Sequence, residues 1–440
     1  NWPQIGRSVK EFFVTGEKMI NYIFSVVSLF FIVAHTFTYG DWPRWRGPNG
    51  DGLWRRPNIL RELPATGLTQ VWKTKVFPGY SGITAKYGLI YLMDRPVSDR
   101  GKGVERIVCL DAKTGLQVWS FSYPAEYKDM GYGKGPRSSV TIMDGRVFSL
   151  GAMGVALSLD ARTGKKLWMR DLVSEENATI PIWGFSSSPE PLGNEILFHV
   201  GCQPYGSILA LSQAGGETKW KVGKDDKAGY APPLLINPSG EQQLVCWGPN
   251  QVMGLPIGGG KAFWEIPYKV KYGVSITKPI FVDGVLLVSG YWHGTRAIVF
   301  GENKTDAKIL WSDEENLRGL MSQALYRDGI CFLLDRSSGL TAFELRTGNI
   351  LWHDDHQLTP ADRNPHASIV WSDHGAGDAL ALNADGELVF INLGKDGYSE
   401  YWRDQLVGKT WAHPAYYMNL VFSRDDDSVV CHELPLAREF

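Results

Sequence analysis

Short runs of apolar, β-prone residues alternate with polar turn residues along most of this chain. One such pair covers residues 139–143 and 146–150, and the two runs are separated by Asp144-Gly145, a dipeptide that favours a two-residue hairpin turn. Apolar runs of this length, bounded by aspartate and glycine, are typical of strands that are joined by hairpins. The pattern therefore predicts an all-β protein. The same dipeptide recurs at Asp283-Gly284 and Asp328-Gly329.

A tryptophan closes a β-prone run eight times, about every 47 residues. Five of the eight have a glycine four residues earlier, as Gly115 stands before Trp119, and such a glycine supplies the positive φ of a tight turn. A repeat of roughly 40 to 50 residues is typical of four-stranded propeller blades, so we predict a β-propeller with one docking tryptophan per blade. The eight docking tryptophans are Trp72, Trp119, Trp168, Trp220, Trp264, Trp311, Trp352 and Trp402.

Ten residues before the tryptophan, seven repeats carry a small or modest side chain. A small side chain at this position leaves room for the indole ring to lie against the neighbouring backbone. They are Cys109, Ser158, Ala210, Gly254, Gly301, Ala342 and Asn392.

The two ends of the repeat region are incomplete in a complementary way. Residues 68–72 form an outer strand with no blade before it, and three strand-like runs follow Trp402 without a fourth. Pairing the two ends closes the ring and removes exposed sheet edges. We therefore predict eight four-stranded antiparallel blades over residues 68–440. Seven blades remain the alternative if the Trp311 or Trp402 repeat is an insertion.

The first 40 residues differ from the repeats. Residues 20–34 are almost wholly apolar and follow Arg7, Lys10 and Lys18, which is the layout of an export signal. The apolar stretch is shorter than the roughly 20 residues that span a bilayer, so a cleaved signal and a retained membrane anchor both stay open. Residues 1–40 are thus predicted to export the chain to a periplasmic or extracytoplasmic location, with membrane attachment through residues 20–37 as one possibility.

Residues 41–67 lie between this segment and the first repeat. They are predicted to be a linker or a cap, and three roles stay open: capping the propeller, tethering it to a membrane, or packing on a neighbouring protein. Their arginines give the segment a basic bias that suits anionic lipid head groups. These arginines are Arg44, Arg46, Arg55, Arg56 and Arg61.

Composition narrows the classes of partner. The formal net charge is −2 and the chain has no long run of like charges, so it offers no basic field for a phosphate backbone, and nucleic acid is not an expected partner. The five cysteines form no Cys-x-x-Cys pair, which argues against haem attachment and metal clusters. Each lies in or beside an apolar run, where a buried cysteine acts as a small hydrophobic residue.

Two motifs carry a resemblance to a known family. Residues 110–119 and 159–168 both read Leu-Asp-Ala-x-Thr-Gly-x-x-x-Trp, which resembles the tryptophan-docking motif of the PQQ-like (quinoprotein alcohol dehydrogenase-like) β-propeller repeat family. Residues 41–52 are similar to the start of exported PQQ-binding-like repeat proteins of planctomycete-type bacteria. The resemblance covers roughly residues 41–434 and includes both quinoprotein dehydrogenases and BamB-like outer-membrane assembly factors. It implies the fold, whereas the activity needs separate arguments.

The loops that lead into the innermost strands of a propeller form a funnel at one end of the central channel. Here these loops are rich in aromatic and hydroxyl side chains, a mixture that suits a planar ligand or a peptide. The alternative is that glycine and serine simply fit where eight strands converge. The candidate funnel residues are Arg137, Trp183, Ser187, Tyr230, Tyr272, His366, Trp411 and His413.

The leading functional hypothesis is a non-catalytic scaffold that binds another envelope protein through its rim loops and central funnel, as the resemblance to BamB-like propellers implies. Large aromatic residues on predicted connecting segments suit the anchors of such an interface. They are Trp247, Tyr291, Trp292 and Trp371.

Two alternatives remain. The resemblance to quinoproteins implies a PQQ- and calcium-dependent dehydrogenase of alcohols or sugars. The funnel loops carry no recognisable carboxylate set to bind calcium or to act as a base, so no cofactor, no metal site and no catalytic residue is expected. A glycan-binding propeller, which would use exposed tryptophans as stacking platforms, is the second alternative.

Overall fold

The computed structural model describes residues 40–54, 58–97, 103–127, 130–225, 227–373 and 375–437. These residues form eight separate four-stranded sheets, each antiparallel throughout. The prediction of an eight-bladed all-β propeller is confirmed. The seven-blade alternative is wrong, because the strands that contain Trp311 and Trp402 each complete a four-stranded blade.

The chain enters the ring through its outermost strand and then builds four blades in order from the centre to the rim. The first strand of each of these blades has only three residues, since little room exists where the blades converge. The strands are β1 (Thr69–Lys75); β2 (Thr84–Lys86), β3 (Leu89–Asp94), β4 (Val104–Asp111) and β5 (Gln117–Pro124) of blade 1; β6 (Thr141–Met143), β7 (Arg146–Leu150), β8 (Val155–Asp160) and β9 (Lys166–Asp171) of blade 2; β10 (Glu190–Leu192), β11 (Glu195–His199), β12 (Ile208–Ser212) and β13 (Thr218–Val222) of blade 3; and β14 (Leu234–Ile236), β15 (Gln243–Trp247), β16 (Gln251–Leu255) and β17 (Trp264–Pro267) of blade 4.

Blades 5 to 7 repeat this order, and the last three strands of the chain form blade 8 together with β1. Thr69 pairs with Glu433 and Lys75 with Ser428, so the two ends of the ring close on each other as the sequence predicts. The strands are β18 (Ile280–Val282), β19 (Val285–Gly290), β20 (Gly294–Phe300) and β21 (Ala307–Asp313) of blade 5; β22 (Leu325–Arg327), β23 (Ile330–Asp335), β24 (Gly339–Glu344) and β25 (Ile350–His353) of blade 6; β26 (Ala367–Asp373), β27 (Asp378–Asn383), β28 (Glu387–Gly394) and β29 (Gly397–Gln405) of blade 7; and β30 (Ala415–Tyr417), β31 (Leu420–Arg424) and β32 (Ser428–Glu433) of blade 8.

Helix is rare in the described residues. A five-residue helix, α1 (Leu172–Glu176), follows β9, where the side chain of Asp171 caps its first turn, and a short 3-10 turn covers Lys271–Gly273. Within the described ranges, no helix combines the length and the apolarity needed to cross a membrane. The predicted export or anchor segment, residues 20–37 included, lies outside the described residues.

The hairpin turns follow the residue types that the sequence analysis singles out. Asp144 and Gly145 have φ values of 48° and 72°, the left-handed pair that a two-residue turn between twisted strands requires. In the outer hairpin of blade 1, Asp111 Oδ1 accepts hydrogen bonds from the backbone N–H and the hydroxyl of Thr114, both at 2.8 Å. Local side-chain chemistry therefore holds both kinds of turn.

All eight docking tryptophans lie in the outermost strands; five of them tie one blade to the next, and Trp402 ties blade 7 to Leu60 in the segment before β1. In the regular form the indole rests on the turn glycine of the following blade and donates to the carbonyl oxygen three residues before that glycine, as Trp119 does over Gly164 to Ala161 at 3.0 Å. The other five bonds run from Trp72 to Ala112, Trp168 to Gln213, Trp311 to Leu345, Trp352 to Gly394 and Trp402 to Leu60.

The tryptophans of blades 3 and 4 depart from this pattern. Trp220 donates to Glu195 Oε2 at 2.8 Å and Trp264 to Gln243 Oε1 at 2.6 Å, and both acceptors belong to the tryptophan's own blade. Blade 4 thus lacks the usual indole-to-carbonyl bond on both of its sides. Its contacts with blade 5 are instead aromatic, since Trp264 packs edge-on against Phe300 at 5.6 Å.

The residues opposite the tryptophans match the expected small positions in five of the seven repeats. Gly301 and Asn392 do not lie opposite the tryptophans, because Trp311 pairs with Ala297 and Trp402 with Phe390. The outer hairpins of blades 5 and 7 have longer connections or strands, so a fixed count of ten residues falls short of the pairing position.

Replacing Gly164 by alanine is expected to destabilise the protein more than replacing Gly145. Both glycines have nearly the same φ, 71° and 72°, so the backbone strain of about 1 kcal/mol is shared. A Cβ at Gly164 would lie 2.6 Å from the Trp119 ring, whereas a Cβ at Gly145 meets nothing within 4 Å. We expect a total loss of about 3 kcal/mol for Gly164→Ala, measured by denaturant unfolding. Equal losses for the two variants would contradict the docking role.

Residues 41–54, called the N-terminal plug below, lie inside the ring. Trp42 pairs with Ala85 of β2, with N···O distances of 2.7 and 2.9 Å, and Leu53 bridges to Trp371 of β26 on another side of the channel. Tyr416 of β30 contacts both Trp42 and Trp54, with ring centroids 5.1 and 4.8 Å away. The plug therefore contacts the innermost strands of several blades and closes one end of the central channel.

Charged side chains of the plug are also buried in the channel. The carboxylate of Glu190 in β10 forms ion pairs with Arg44 at 2.7 Å and with Lys278 at 3.0 Å. One negative charge therefore faces two positive charges and neutralises only part of them. Arg46 is 1% exposed and donates through Nη2 to the carbonyl oxygen of Ile369 at 3.0 Å, while its Nε and Nη1 have no partner among the described residues. Burial lowers the pKa of Arg46 to about 10.

Candidate functional site

The channel is open at the end opposite the plug, where the loops that lead into the innermost strands surround a cavity of about 230 Å³. Its walls come from loops of all eight blades, and its floor includes Trp45 of the plug. The cavity is therefore blind: a ligand reaches it from the funnel end only. Its volume is slightly below the roughly 300 Å³ at which pockets for drug-sized ligands begin.

Seven of the eight predicted funnel residues line this cavity. Ser187 does not: it is 1% exposed, and its neighbours Ser186 and Ser188 face the cavity in its place. The seven residues are Arg137, Trp183, Tyr230, Tyr272, His366, Trp411 and His413. The predicted interface anchors fall into two groups. Tyr291 and Trp292 line the cavity, whereas Trp247 and Trp371 are buried core residues.

Aromatic rings line the funnel from blade 8 to blade 5, and neighbouring rings contact one another. Tyr132 lies between Trp411 and Trp183, with ring centroids 5.6 and 6.0 Å away, and Tyr272 bridges Trp183 and Trp292 at 6.5 and 5.8 Å. Edge-on and tilted contacts of this kind stabilise aromatic clusters beyond their buried area. We call the set the aromatic collar; it consists of Tyr80, Tyr132, Trp183, Tyr230, Tyr272, Trp292 and Trp411.

Two members of the collar sit on strained backbone. Tyr132 and Tyr272 have φ values of 54° and 59°, which non-glycine residues adopt rarely and which concentrate at functional sites. Both rings are exposed, at 44% and 56%. The strain thus holds two large aromatic side chains at the mouth of the cavity, in contact with solvent.

Arg137 holds one part of the collar in place. Its Nη1 donates to Gly135 at 2.8 Å, and its Nη2 donates to the carbonyl oxygens of Gly131 and Tyr132 at 2.9 and 2.6 Å. The guanidinium also lies 5.4 Å from the Tyr80 ring centroid. Burial lowers the pKa of Arg137, and no carboxylate forms an ion pair with it among the described residues. Its donors are therefore occupied in shaping the loop.

Two histidines lie on the cavity floor. The rings of His366 and His413 are 5.4 Å apart, and Trp45 packs edge-on against His413 at 5.3 Å. Burial lowers the pKa of His366 to about 4, and burial together with His366 and Arg46 holds the pKa of His413 well below its usual range. Both imidazoles are neutral at physiological pH.

Trp45 and Tyr132 are cavity residues that the sequence analysis does not place in the site. Trp45 comes from a segment far from the other loops in sequence, although the Asp-Trp-Pro-Arg-Trp motif of residues 41–45 draws attention to it. Tyr132 lies between two glycines, a spacing that signals a tight loop and not a ligand contact.

The cavity does not fit calcium-bound PQQ. Among the described residues that line it, none is aspartate or glutamate, so calcium has no carboxylate ligand and a substrate hydroxyl has no carboxylate base. The described ranges contain no group of three metal-ligating side chains placed for a shared ion. All five cysteines are buried as free thiols.

Comparison with known proteins places this geometry in a family. The family described as outer membrane protein assembly factor BamB matches residues 103–353 and 206–397. The BamB protein of Burkholderia pseudomallei is 27% identical over 320 residues, which cover 68% of this chain and 73% of that protein.

Solved structures share the fold at low sequence identity. BamB from Moraxella catarrhalis superposes with a TM-score of 0.54 at 16% identity, covering 83% of this chain and 100% of that chain. A quinohemoprotein alcohol dehydrogenase from Comamonas testosteroni gives a TM-score of 0.64 at 13% identity, covering 93% and 83%. These likenesses concern the architecture alone, whereas the family match spans more than half of the sequence. The chain belongs to the PQQ-like β-propeller family of the outer membrane protein assembly factor BamB.

Proposed function

We propose that this protein is a non-catalytic scaffold of the bacterial envelope, exported from the cytoplasm, that binds a protein partner through the mouth of its funnel. The matched relatives are outer membrane protein assembly factors, which supports a scaffold role. One observation carries the proposal: the funnel presents a rigid aromatic collar without a carboxylate among its described lining residues. Exposed, preorganised aromatic residues are the usual anchors of protein interfaces.

The mouth of the funnel has the properties of an anchor site. Tyr132 accepts a hydrogen bond from Asn364 at 3.3 Å, and Tyr291 donates to the carbonyl oxygen of Arg363 at 2.7 Å, so the loop before blade 7 holds aromatic side chains of non-adjacent blades. Arg363 lines the same mouth, and arginine joins tyrosine and tryptophan among the residues enriched at binding hot spots. Little side-chain entropy is then lost when a partner binds.

The described side chains of the cavity do not assemble a catalytic group. Ser368 Oγ and His413 Nδ1 are 2.8 Å apart, which is the pairing that activates a serine nucleophile. Ser368 is 2% exposed, however, and the strongly lowered pKa of His413 makes this imidazole a weak base at neutral pH. We therefore interpret the pair as a structural hydrogen bond between blades 7 and 8.

Site-specific crosslinking tests the proposed surface. A photoreactive phenylalanine analogue at Tyr132 or Tyr272 is expected to form a discrete adduct with a protein partner in cells that produce the full chain. The matched control is the same analogue at Leu116, which is 69% exposed in the outer hairpin turn of blade 1. Adducts are read by immunoblotting and identified by mass spectrometry.

Two outcomes would contradict the proposal. Equal adducts at all three positions would show that the funnel mouth has no preference for a partner. Stoichiometric retention of added PQQ with calcium, together with dye reduction by alcohols or sugars, would support the dehydrogenase alternative in its place.

A further inference from the structure

We propose that the floor of the cavity is a binding site for a saccharide, with one sugar ring seated below the aromatic collar. This site lies in the same cavity as the proposed protein-binding mouth and shares collar residues with it, but it does not depend on the identity of the partner. The cavity is blind because Trp45 and the N-terminal plug close its lower end. A small ring-shaped ligand fits such a space, whereas an extended peptide has no exit from it.

The environment of the His366 side chain is the first feature that indicates a polar ligand. The side chain lines the cavity and is 1% exposed, yet neither Nδ1 nor Nε2 has a hydrogen-bond partner among the described residues. A buried polar group without a partner costs free energy, so a ligand that supplies one is favoured. A neutral imidazole needs one acceptor and one donor, and a hydroxyl group offers both.

The walls supply further unpaired polar atoms. The indole N–H groups of Trp183, Trp292 and Trp411 donate to no described residue, although all three side chains line the cavity. The hydroxyl of Tyr272 is likewise free of described partners. Aromatic faces alternate here with hydrogen-bonding edges, and a pyranose has the complementary arrangement, with C–H groups on its faces and hydroxyls at its rim.

The charges favour a neutral sugar over an anion. Three of the five N–H donors of Arg137 are bound to backbone carbonyl oxygens, so its guanidinium offers at most two donors to a ligand. The two floor histidines carry no charge at neutral pH, as described above. Arg363, three residues before His366, also lines the cavity, but unlike the buried His366 it is exposed to solvent.

Titration with defined sugars tests the site. We expect methyl α-glucopyranoside or N-acetylglucosamine to change the tryptophan fluorescence saturably and to give saturation-transfer NMR signals. Trp183→Ala and His366→Leu are each expected to weaken binding at least about tenfold. The control Tyr87→Ser removes an exposed aromatic residue outside the cavity and is expected to leave binding unchanged.

His366→Leu also separates a ligand-binding role from a structural one. Because the imidazole has no hydrogen-bond partner in the described part of the chain, its replacement is expected to maintain or raise the Tm while binding falls. No saturable response to either sugar up to about 50 mM would overturn the proposal. Binding that survives both Trp183→Ala and His366→Leu would overturn it as well. Neither result affects the crosslinking test at the mouth, so the two proposals fail separately.

Discussion

Removing residues 1–67 is expected to unfold the ring, whereas removing residues 1–39 is expected to leave it stable. The chain that starts at residue 68 lacks Trp42 and Trp54, which are 2% and 5% exposed. Tyr416 then loses both of these aromatic neighbours. This chain also lacks Leu60, whose carbonyl oxygen accepts the docking bond of Trp402 at 2.9 Å. Truncation of a buried tryptophan alone costs about 3 to 5 kcal/mol, so the combined loss exceeds about 5 kcal/mol.

The measurement is thermal unfolding of chains 40–440 and 68–440, followed by circular dichroism. We expect the longer chain to unfold cooperatively and the shorter one to aggregate or to show a Tm lower by more than about 10 °C. Trp42→Ala in the longer chain isolates one contact, and Trp292→Ala at the half-buried cavity wall is its matched control. Equal Tm values for the two chains would show that the plug contributes nothing to the ring.

Lowering the pH from about 6.5 to 4 is expected to destabilise the protein steeply. Burial lowers the pKa of His199 and of His366 to about 4 and holds that of His413 well below its usual range. In the unfolded chain these groups take up protons near pH 6.5, but in the folded protein His199 and His366 stay neutral until about pH 4. Stability is therefore full above pH 6.5 and is lost as the pH falls toward 4, by about 3 kcal/mol each for His199 and His366, and His413 contributes in the same direction.

Urea unfolding at half-unit pH steps measures this loss, and His366→Leu is expected to flatten the curve by the share of one histidine. Carboxylates with a lowered pKa, such as Asp160 and Asp425, act at lower pH, below their ordinary value of 3.8. Burial raises the pKa of Asp41 and of Asp354. Their protonation therefore partly offsets the loss of stability caused by the histidines as the pH approaches 4. A flat free energy of unfolding between pH 6.5 and 4.5 would contradict the buried neutral histidines.

Much of the fold follows from local patterns. The Asp-Gly pairs predict two-residue turns because few other residues adopt two successive left-handed conformations, and the structure has both φ values positive at Asp144 and Gly145. The spacing of the tryptophans predicts eight blades because each indole stands in the outermost strand of its blade. The pairing of β1 with β32 follows from the two incomplete ends.

The hydrogen-bond acceptors of the docking tryptophans were harder to predict than the strands in which the tryptophans lie. Trp220 and Trp264 occupy the expected strands. Their indole N–H groups donate to the side chains of Glu195 and Gln243, however, and not to a carbonyl oxygen of the neighbouring blade. Gly301 and Asn392 do not pair with Trp311 and Trp402, because the length of the outer hairpin varies between blades. Such choices depend on distances of a few ångströms between blades, which spacing along the chain does not report.

The sequence by itself determined the repeat, the strand order, the closure of the ring and seven of the eight candidate residues that line the funnel, because these depend on local propensity and on period. Only the tertiary structure decided that Trp45 and Arg46 lie inside the channel, that Ser187 turns away from the cavity, and that His366 has no hydrogen-bond partner among the residues that the structure describes. These features arise where segments distant in sequence converge on one axis, and burial there depends on the packing of all eight blades at once.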